Sequence, residues 1–150
     1  MSFDVCDLYQ EVILEHGRYP RHAGRPPRHD ATARGDNPMC GDRVEIFLSY
    51  APDGRIADAR FDARGCAISI ASADLMVDAV AGLAPDDARR IFSRFEDMAR
   101  TGACPDGDAM MEPLRPLAGV HAYPSRVKCA TLPWHTLMAA LEGGGQATSE

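Results

Sequence analysis

Apolar residues recur at two different spacings along this 150-residue chain, and each spacing predicts a different kind of element. In residues 4 to 16 they follow the three- and four-residue spacing of an amphipathic helix. From residue 42 to 50, and again from 55 to 63, they alternate with polar residues, which is typical of half-buried strands. The turn sequence Pro52-Asp53-Gly54 between the two runs predicts an antiparallel hairpin.

The rest of the chain is predicted to add one short strand and further helices. A third strand near residues 64 to 67 completes a small antiparallel sheet, and it leads into a helix over residues 68 to 80. Another helix begins at Pro85, whose fixed φ suits a first helical turn. A final helix is predicted over residues 130 to 141, with Pro133 in its first turn. The less regular segments are listed together: a loop over 17–36, one or two helical turns within 110–117, and a disordered tail over about 143–150.

Length and charge narrow the possible functions. A chain of 150 residues suits a single domain with one core. A net charge of −6 argues against non-specific nucleic-acid binding. No apolar run reaches transmembrane length, and the acidic residues Asp4 and Asp7 stand where a signal peptide needs basic and then apolar ones. We therefore expect a cytoplasmic protein with no membrane segment.

Cysteine placement is the main indication of chemistry. Five cysteines in a reducing compartment favour thiol or metal chemistry over disulfides, although free cysteine is also a common buried residue. In an extended segment, Cys40 and Asp42 would project to the same side, because side chains alternate along a strand. Cys66 and Cys129 both fall where a predicted helix begins, and the positive end of a helix favours thiolate over thiol.

These four residues would form a set of three sulfur ligands and one oxygen ligand, which Zn²⁺ accepts in a tetrahedron. The carboxylate weakens the preference for soft metals and suggests a site able to open. Arg126 and Lys128 would supply counter-charge beside it. The spacing matches no short zinc motif, so the residues alone leave a metal site and ordinary buried cysteines both open. Cys6 and Cys104 are not counted as ligands, and His121 is a fallback ligand only.

A loop rich in arginine lies between residues 18 and 34 of this otherwise acidic chain. Such a segment is usually solvated surface, but it could also form a positive rim for a protein partner. His16, His22 and His29 in and near this loop have no ligand pattern.

In its motifs and their order, the chain resembles a known family, the U-type iron–sulfur assembly proteins that include IscU, the N-terminal part of NifU and SufU. The matching stretches, in order, are residues 8–16 with Pro20-Arg21, Asn37-Pro38-Met39-Cys40-Gly41-Asp42, Gly65-Cys66-Ala67-Ile68-Ser69, Ala71-Ser72-Ala73, and Arg126-Val127-Lys128-Cys129-Ala130-Thr131-Leu132 with Trp134. SufU-type members are the most similar. They lack the histidine that IscU-type scaffolds carry at the position of Lys128, and they have an insertion like segment 101–125.

The resemblance implies an α+β fold, the IscU-like sandwich of a small three-stranded antiparallel sheet packed against helices. It also implies a zinc-bound sulfurtransferase that takes persulfide sulfur from a SufS-type cysteine desulfurase and supplies a downstream iron–sulfur assembly scaffold. By the same resemblance Cys40 is the sulfur acceptor, and Cys40, Asp42, Cys66 and Cys129 hold the zinc. Arg126 and Lys128 would then contact the partner or surround the site.

Two other functions are compatible with the same residues. The same cysteines could assemble a transient iron–sulfur cluster, because cluster irons also take thiolate ligands. A structural zinc module that only binds partners is a third possibility, although Asp42 and the exposed loop of Cys40 argue against it. The sequence departs from the family pattern at His22, Asp74 and Pro133, none of which is a proposed ligand.

Overall fold

A computed structural model of the chain describes residues 10–38, 40–103, 109–143 and 145–148. Within these ranges, no helix has the length and apolar character needed to cross a membrane. The architecture is α+β, as predicted, with one sheet packed against helices.

The sheet has three antiparallel strands and a short fourth strand at one edge. β1 (Ala31–Asn37), β2 (Asp42–Tyr50) and β3 (Ile56–Arg64) follow one another along the chain, and β4 (Gly145–Thr148) pairs in parallel with β1. The spatial order is therefore β3-β2-β1-β4. The register places the first residue of β2 opposite the last residue of β1, so the β1–β2 turn lies at one end of the sheet.

The predicted hairpin is confirmed, but the predicted third strand is wrong. β3 continues to Arg64 and the next helix begins at Ala67, so residues 64 to 67 form no separate strand. The third antiparallel strand is β1, within the segment predicted to be a loop. Its buried positions carry Ala33, Gly35 and Asn37 in place of large apolar residues. β4 likewise lies in the predicted disordered tail.

Gly35 explains why β1 has so little apolar pattern. A Cβ at this position would collide with the Thr136 hydroxyl and lie 3.1 Å from a Leu132 methyl. Both residues belong to the last helix, which packs across the inner face of the sheet. Close approach of that helix therefore requires a small residue in the strand, and a small residue gives no signal of a strand.

Two of the four α-helices pack against the inner face of the sheet, and the other two and a 3₁₀ helix pack on these. α1 is Gln10–Arg18, α2 is Ala67–Val80, α3 is Pro85–Thr101 and α4 is Pro124–Leu141. The 3₁₀ helix, Glu112–Ala122, precedes α4. The predictions of α2 and of Pro85 in the first turn of α3 are confirmed. Of the predicted first helix, residues 4 to 9 lie outside the described ranges.

The last helix differs from its prediction in a way that matters for the site. α4 starts at Pro124, six residues before the predicted position, with Pro124 in its first turn. Pro133 is consequently inside the helix rather than in its first turn, and Cys129 lies in the second turn rather than at the N-terminus. The N-terminus of this helix is therefore too far from Cys129 to favour its thiolate, contrary to the prediction.

The core lies between the sheet and helices α2, α3 and α4. Trp134 is fully buried, and its ring stacks on Phe95 with 4.9 Å between ring centroids. From β2, Val44, Ile46 and Leu48 belong to this core and are fully buried. α4 thus has one side in the core and carries Cys129 at the end nearest the β1–β2 turn.

A buried carboxylate anchors α1 and the segment after it to α2. Asp74 is fully buried; one oxygen lies 2.5 Å from Nδ1 of His16, and the other accepts the main-chain N–H of His22 at 2.9 Å. The His22 ring in turn lies 2.7 Å from Asp78. Asp74 and His22 are two of the departures from the family pattern, and here they are partners.

Candidate metal centre

Four predicted ligands come together at one end of the sheet, each carried by a different part of the fold. Cys40 lies in the β1–β2 turn, Asp42 begins β2, Cys66 caps the N-terminus of α2, and Cys129 lies in the second turn of α4. The ligand atoms of Cys40, Asp42 and Cys129 all lie within 4.8 Å of one another. Cys66 is not part of this group of three, but its sulfur lies 3.7 Å from an oxygen of Asp42.

The β1–β2 turn separates an exposed thiol from a buried carboxylate. The Asn37 carbonyl accepts the main-chain N–H groups of Cys40 at 3.3 Å and Gly41 at 2.8 Å. Gly41 has a φ of +73°, a conformation that glycine adopts without strain. As a result Cys40 is exposed, whereas Asp42 is only 1% exposed.

Asp42 is held in place by the main chain before α2. One carboxylate oxygen accepts the main-chain N–H of Cys66 at 2.8 Å. This contact depends on Gly65, whose φ is +130° and whose Cα leaves room for Asp42. A Cβ on Gly65 would collide with the carboxylate and lie 2.9 Å from the Asp42 Cα. Gly65 therefore shapes the site although it contributes no ligand.

The thiols of Cys66 and Cys129 lie side by side and shift each other's pKa in opposite directions. A hydrogen bond from the Cys129 thiol lowers the pKa of Cys66 to about 6, and the same bond, together with burial, raises the pKa of Cys129. The Cys66 thiol is therefore more acidic than an ordinary cysteine. Its position at the N-cap of α2 agrees with the prediction that the start of a helix favours the anion.

Two further side chains contact the Cys129 sulfur. The amide nitrogen of Asn37, a fully buried side chain, lies 3.9 Å from it. Arg126 hydrogen bonds to the same sulfur, which raises the pKa of the guanidinium. Arg126 is thus beside the site, as predicted. The sequence argument missed Asn37, although its place just before Pro38 marks the start of a turn.

The other candidates from the sequence lie elsewhere or outside the described residues. Lys128 lines a separate cavity of about 300 Å³ together with Arg100, His121 and His135. His121 contacts the Ala118 carbonyl at 3.0 Å. Among the described residues, the grouped ligand atoms do not include His121. Cys6 and Cys104 fall outside the described ranges.

The donor set suits a borderline-soft cation. Three thiols and one carboxylate converge, three of the four side chains are sheltered from solvent, and Arg126 offsets part of the negative charge that deprotonation would create. Zn²⁺ binds such ligands tetrahedrally, and iron–sulfur clusters also take thiolates. The residues present therefore fit a metal ion.

Comparison with known proteins agrees with this fold. The family model of the NifU-like N terminal domain matches residues 8–130, and the chain belongs to this family. The zinc-dependent sulfurtransferase SufU of Bacillus subtilis strain 168 is 37% identical over 150 residues, covering 96% of this chain and 99% of that protein. The iron–sulfur cluster assembly scaffold protein IscU of Streptococcus pyogenes serotype M1 is 34% identical over 140 residues, covering 93% of this chain and 86% of that protein.

A solved structure has the same fold. The putative iron–sulfur cluster assembly scaffold protein for the SUF system from Fervidobacterium islandicum AW-1 superposes with a TM-score of 0.81 at 30% identity, covering 89% of this chain and 96% of that one. The sandwich predicted from the motifs is therefore confirmed.

Proposed function

We propose that the protein is a zinc-dependent sulfurtransferase that accepts persulfide sulfur from a cysteine desulfurase of SufS type and passes it on for iron–sulfur cluster assembly. The observation that carries the proposal is the contrast within the ligand set. Cys40 is exposed on a turn, whereas Asp42 and Cys129 are buried and Cys66 is half-buried at a helix N-cap. One thiol is thus accessible to a partner, and three groups remain to hold an ion.

The transfer itself is a thiol–persulfide exchange. The Cys40 thiolate attacks the outer sulfur of the donor's persulfide, the sulfur–sulfur bond of the donor breaks, and the donor leaves as a thiolate. Cys40 then carries the persulfide, and no external oxidant or reductant is consumed. A Zn²⁺ ion bound by Cys40, Asp42, Cys66 and Cys129 would keep the thiols deprotonated at neutral pH.

The chain's own residues prepare this step. The Asn37 carbonyl and Gly41 fix the turn that exposes Cys40, and Asp42 is oriented by the main-chain N–H of Cys66. Arg126 lies close enough to Cys66 and Cys129 to stabilise negative charge on sulfur. The free thiols require a reducing setting, which supports the cytoplasm as the place of action.

The test is to map the persulfide. The protein is incubated with the desulfurase and cysteine, persulfides are trapped by alkylation, and the labelled cysteine is located by mass spectrometry. We expect label on Cys40, its loss in Cys40→Ser, and full labelling in the control Cys104→Ser. Label mainly on Cys66, Cys129 or Cys104, with Cys40→Ser still stimulating turnover, would contradict the assignment.

A scaffold function is the second candidate, because the same three thiols suit cluster irons and IscU relatives match the chain. Lys128 supports the carrier, since it stands at the position where scaffold members carry a histidine, and lysine is not among the usual ligands of iron–sulfur clusters. Metal analysis of protein purified without oxygen separates the two. Colourless protein with one zinc supports the carrier, and a brown chromophore supports the scaffold.

A further inference from the structure

Two cavities beside the candidate metal centre share a pair of arginines. One, of about 230 Å³, lies on the outer face of the sheet between Arg34, Arg43, Glu45, Asp62 and Arg64. The second, of about 410 Å³, is lined by Arg43 and Arg64 together with residues of the β1–β2 turn and Asp42. Because Arg43 and Arg64 line both, the cavities form one groove that leads to the turn of Cys40. We call it the arginine groove.

The two arginines form an unfavourable pair in the isolated protein. Arg43 on β2 and Arg64 on β3 are direct cross-strand partners, and like charges in that position destabilise a sheet. Arg43 is partly offset by Asp36, whose carboxylate accepts its Nε–H at 3.0 Å. Within the described part of the chain, Arg64 has neither a hydrogen bond nor an ion pair. A guanidinium beside the site is thus left available for an external anion.

Charge is segregated along the groove. The next outward-facing positions on the same strands, two residues farther from the turn and therefore about 7 Å away, carry Glu45 and Asp62. Arg34 lies opposite Glu45. A polyanion running along the groove would meet these carboxylates. A polypeptide segment with an acidic residue only at the end nearest Cys40 would meet opposite charge there.

We propose that the arginine groove is a docking surface for a segment of the sulfur-donor protein that carries a carboxylate next to its persulfide-bearing loop. The inference rests on the proposed function and deepens it by naming how the donor is oriented. The planar guanidinium groups of Arg43 and Arg64 match a carboxylate in geometry as well as charge, and such contacts fix orientation. With its carboxylate held there, the donor presents its sulfur to the turn that exposes Cys40.

The first experiment compares two charge reversals on one strand. Arg60 lies on the same face of β3 as Arg64, four residues farther from the site, and is 3.5 Å from Asp58. Arg64→Glu should raise the concentration that half-maximally stimulates the desulfurase by about tenfold or more, and added salt should narrow its difference from wild type. Arg60→Glu should change it less than about twofold. Metal content, measured for both variants, should equal that of wild type. Equal effects of the two reversals, or none from Arg64→Glu, would overturn the proposal.

The second experiment needs no desulfurase, so it separates this inference from the proposed function. A short peptide with two adjacent glutamates is titrated into ¹⁵N-labelled protein, and the arginine Nε–H signals are followed. We expect shifts at Arg43 and Arg64 but not at Arg60, and none with a lysine peptide. If wild type fails to stimulate any desulfurase while these shifts persist, the proposed function fails and the groove stands. Stimulation without shifts, or equal shifts with free glutamate or inorganic phosphate, overturns the docking surface.

Discussion

Gly65 offers a sharp test of how the candidate metal centre is built, because it supplies space and no ligand. In the wild-type chain the Asp42 carboxylate accepts the main-chain N–H of Cys66 at 2.8 Å. In Gly65→Ala the new Cβ would collide with that carboxylate. Gly24 is a matched control. Its φ of +125° is close to the +130° of Gly65, and nothing lies within 4 Å of the position its Cβ would take. The two substitutions share the backbone strain, and only one displaces Asp42.

The expected magnitudes follow from that difference. A non-glycine residue in this backbone region costs about 1–3 kcal/mol in the free energy of unfolding, which applies to both variants. Gly65→Ala also loses a hydrogen bond to a charged group, worth about 1.5–3 kcal/mol. The affinity for Zn²⁺ should fall about 10–100-fold in Gly65→Ala, as for loss of a group that orients a ligand, and stay unchanged in Gly24→Ala.

Urea unfolding of the metal-free proteins gives the stability difference, and competition with a chromophoric chelator gives the affinity. Wild-type affinity in Gly65→Ala would show that Asp42 does not hold the ion in the arrangement inferred here. Equal loss of affinity in both glycine variants would show that backbone strain, and not the Asp42 contact, controls the site.

Three further outcomes are expected. Removing the metal with a chelator should lower the midpoint of thermal unfolding, because an ion bound only by the folded state stabilises it; an unchanged midpoint would contradict a ligand-held ion. Asp74→Ala should cost about 1–3 kcal/mol in urea unfolding, since His16 and the main-chain N–H of His22 lose a buried acceptor, and Asp78→Ala, at a more exposed pair, should cost less. Burial holds the pKa of His135 below that of an ordinary histidine, although nearby Glu96 opposes the shift. The unfolded chain therefore binds more protons, and stability should fall as the pH drops below about 6.5, the ordinary pKa of histidine. His135→Gln should reduce that slope, and an identical pH profile would refute the assignment.

The sequence was most informative where a residue type is tied to one local geometry. Pro85 suits the first turn of a helix, and the alternation from residue 42 to 50 is typical of a strand with one buried face; both predictions are confirmed. The ligands were predicted from their local settings, and the fold brings three of their ligand atoms within 4.8 Å. Cys66 at the start of α2 is an example in which local pattern and final position agree.

The errors arose where tertiary contacts decide the local structure. β1 has small residues on its inner face because α4 lies against it, so its composition was that of a loop. α4 begins at Pro124, and the 3₁₀ helix just before it places that proline where a first turn can form. Asp74 looked like an isolated departure, since its partners at His16 and His22 are more than fifty residues away in sequence. In each case the contact that decides the local structure comes from an element that a local sequence pattern does not reveal.

The distribution of the four ligands along the chain gives a bound ion a second role. Between Asp42 and Cys66 lie 23 residues, and between Cys66 and Cys129 lie 62. An ion held by all four would act as a cross-link that closes two long loops, and in the chain-entropy treatment loops of such length are worth about 3–4 kcal/mol each. β1, β2 and β3 are consecutive hairpins with short closures, whereas α4 must find its place from the far end of the chain. The ion would therefore connect β1, β2 and β3, which pair over short loops, with α4, whose position in the sequence makes its docking cost more chain entropy.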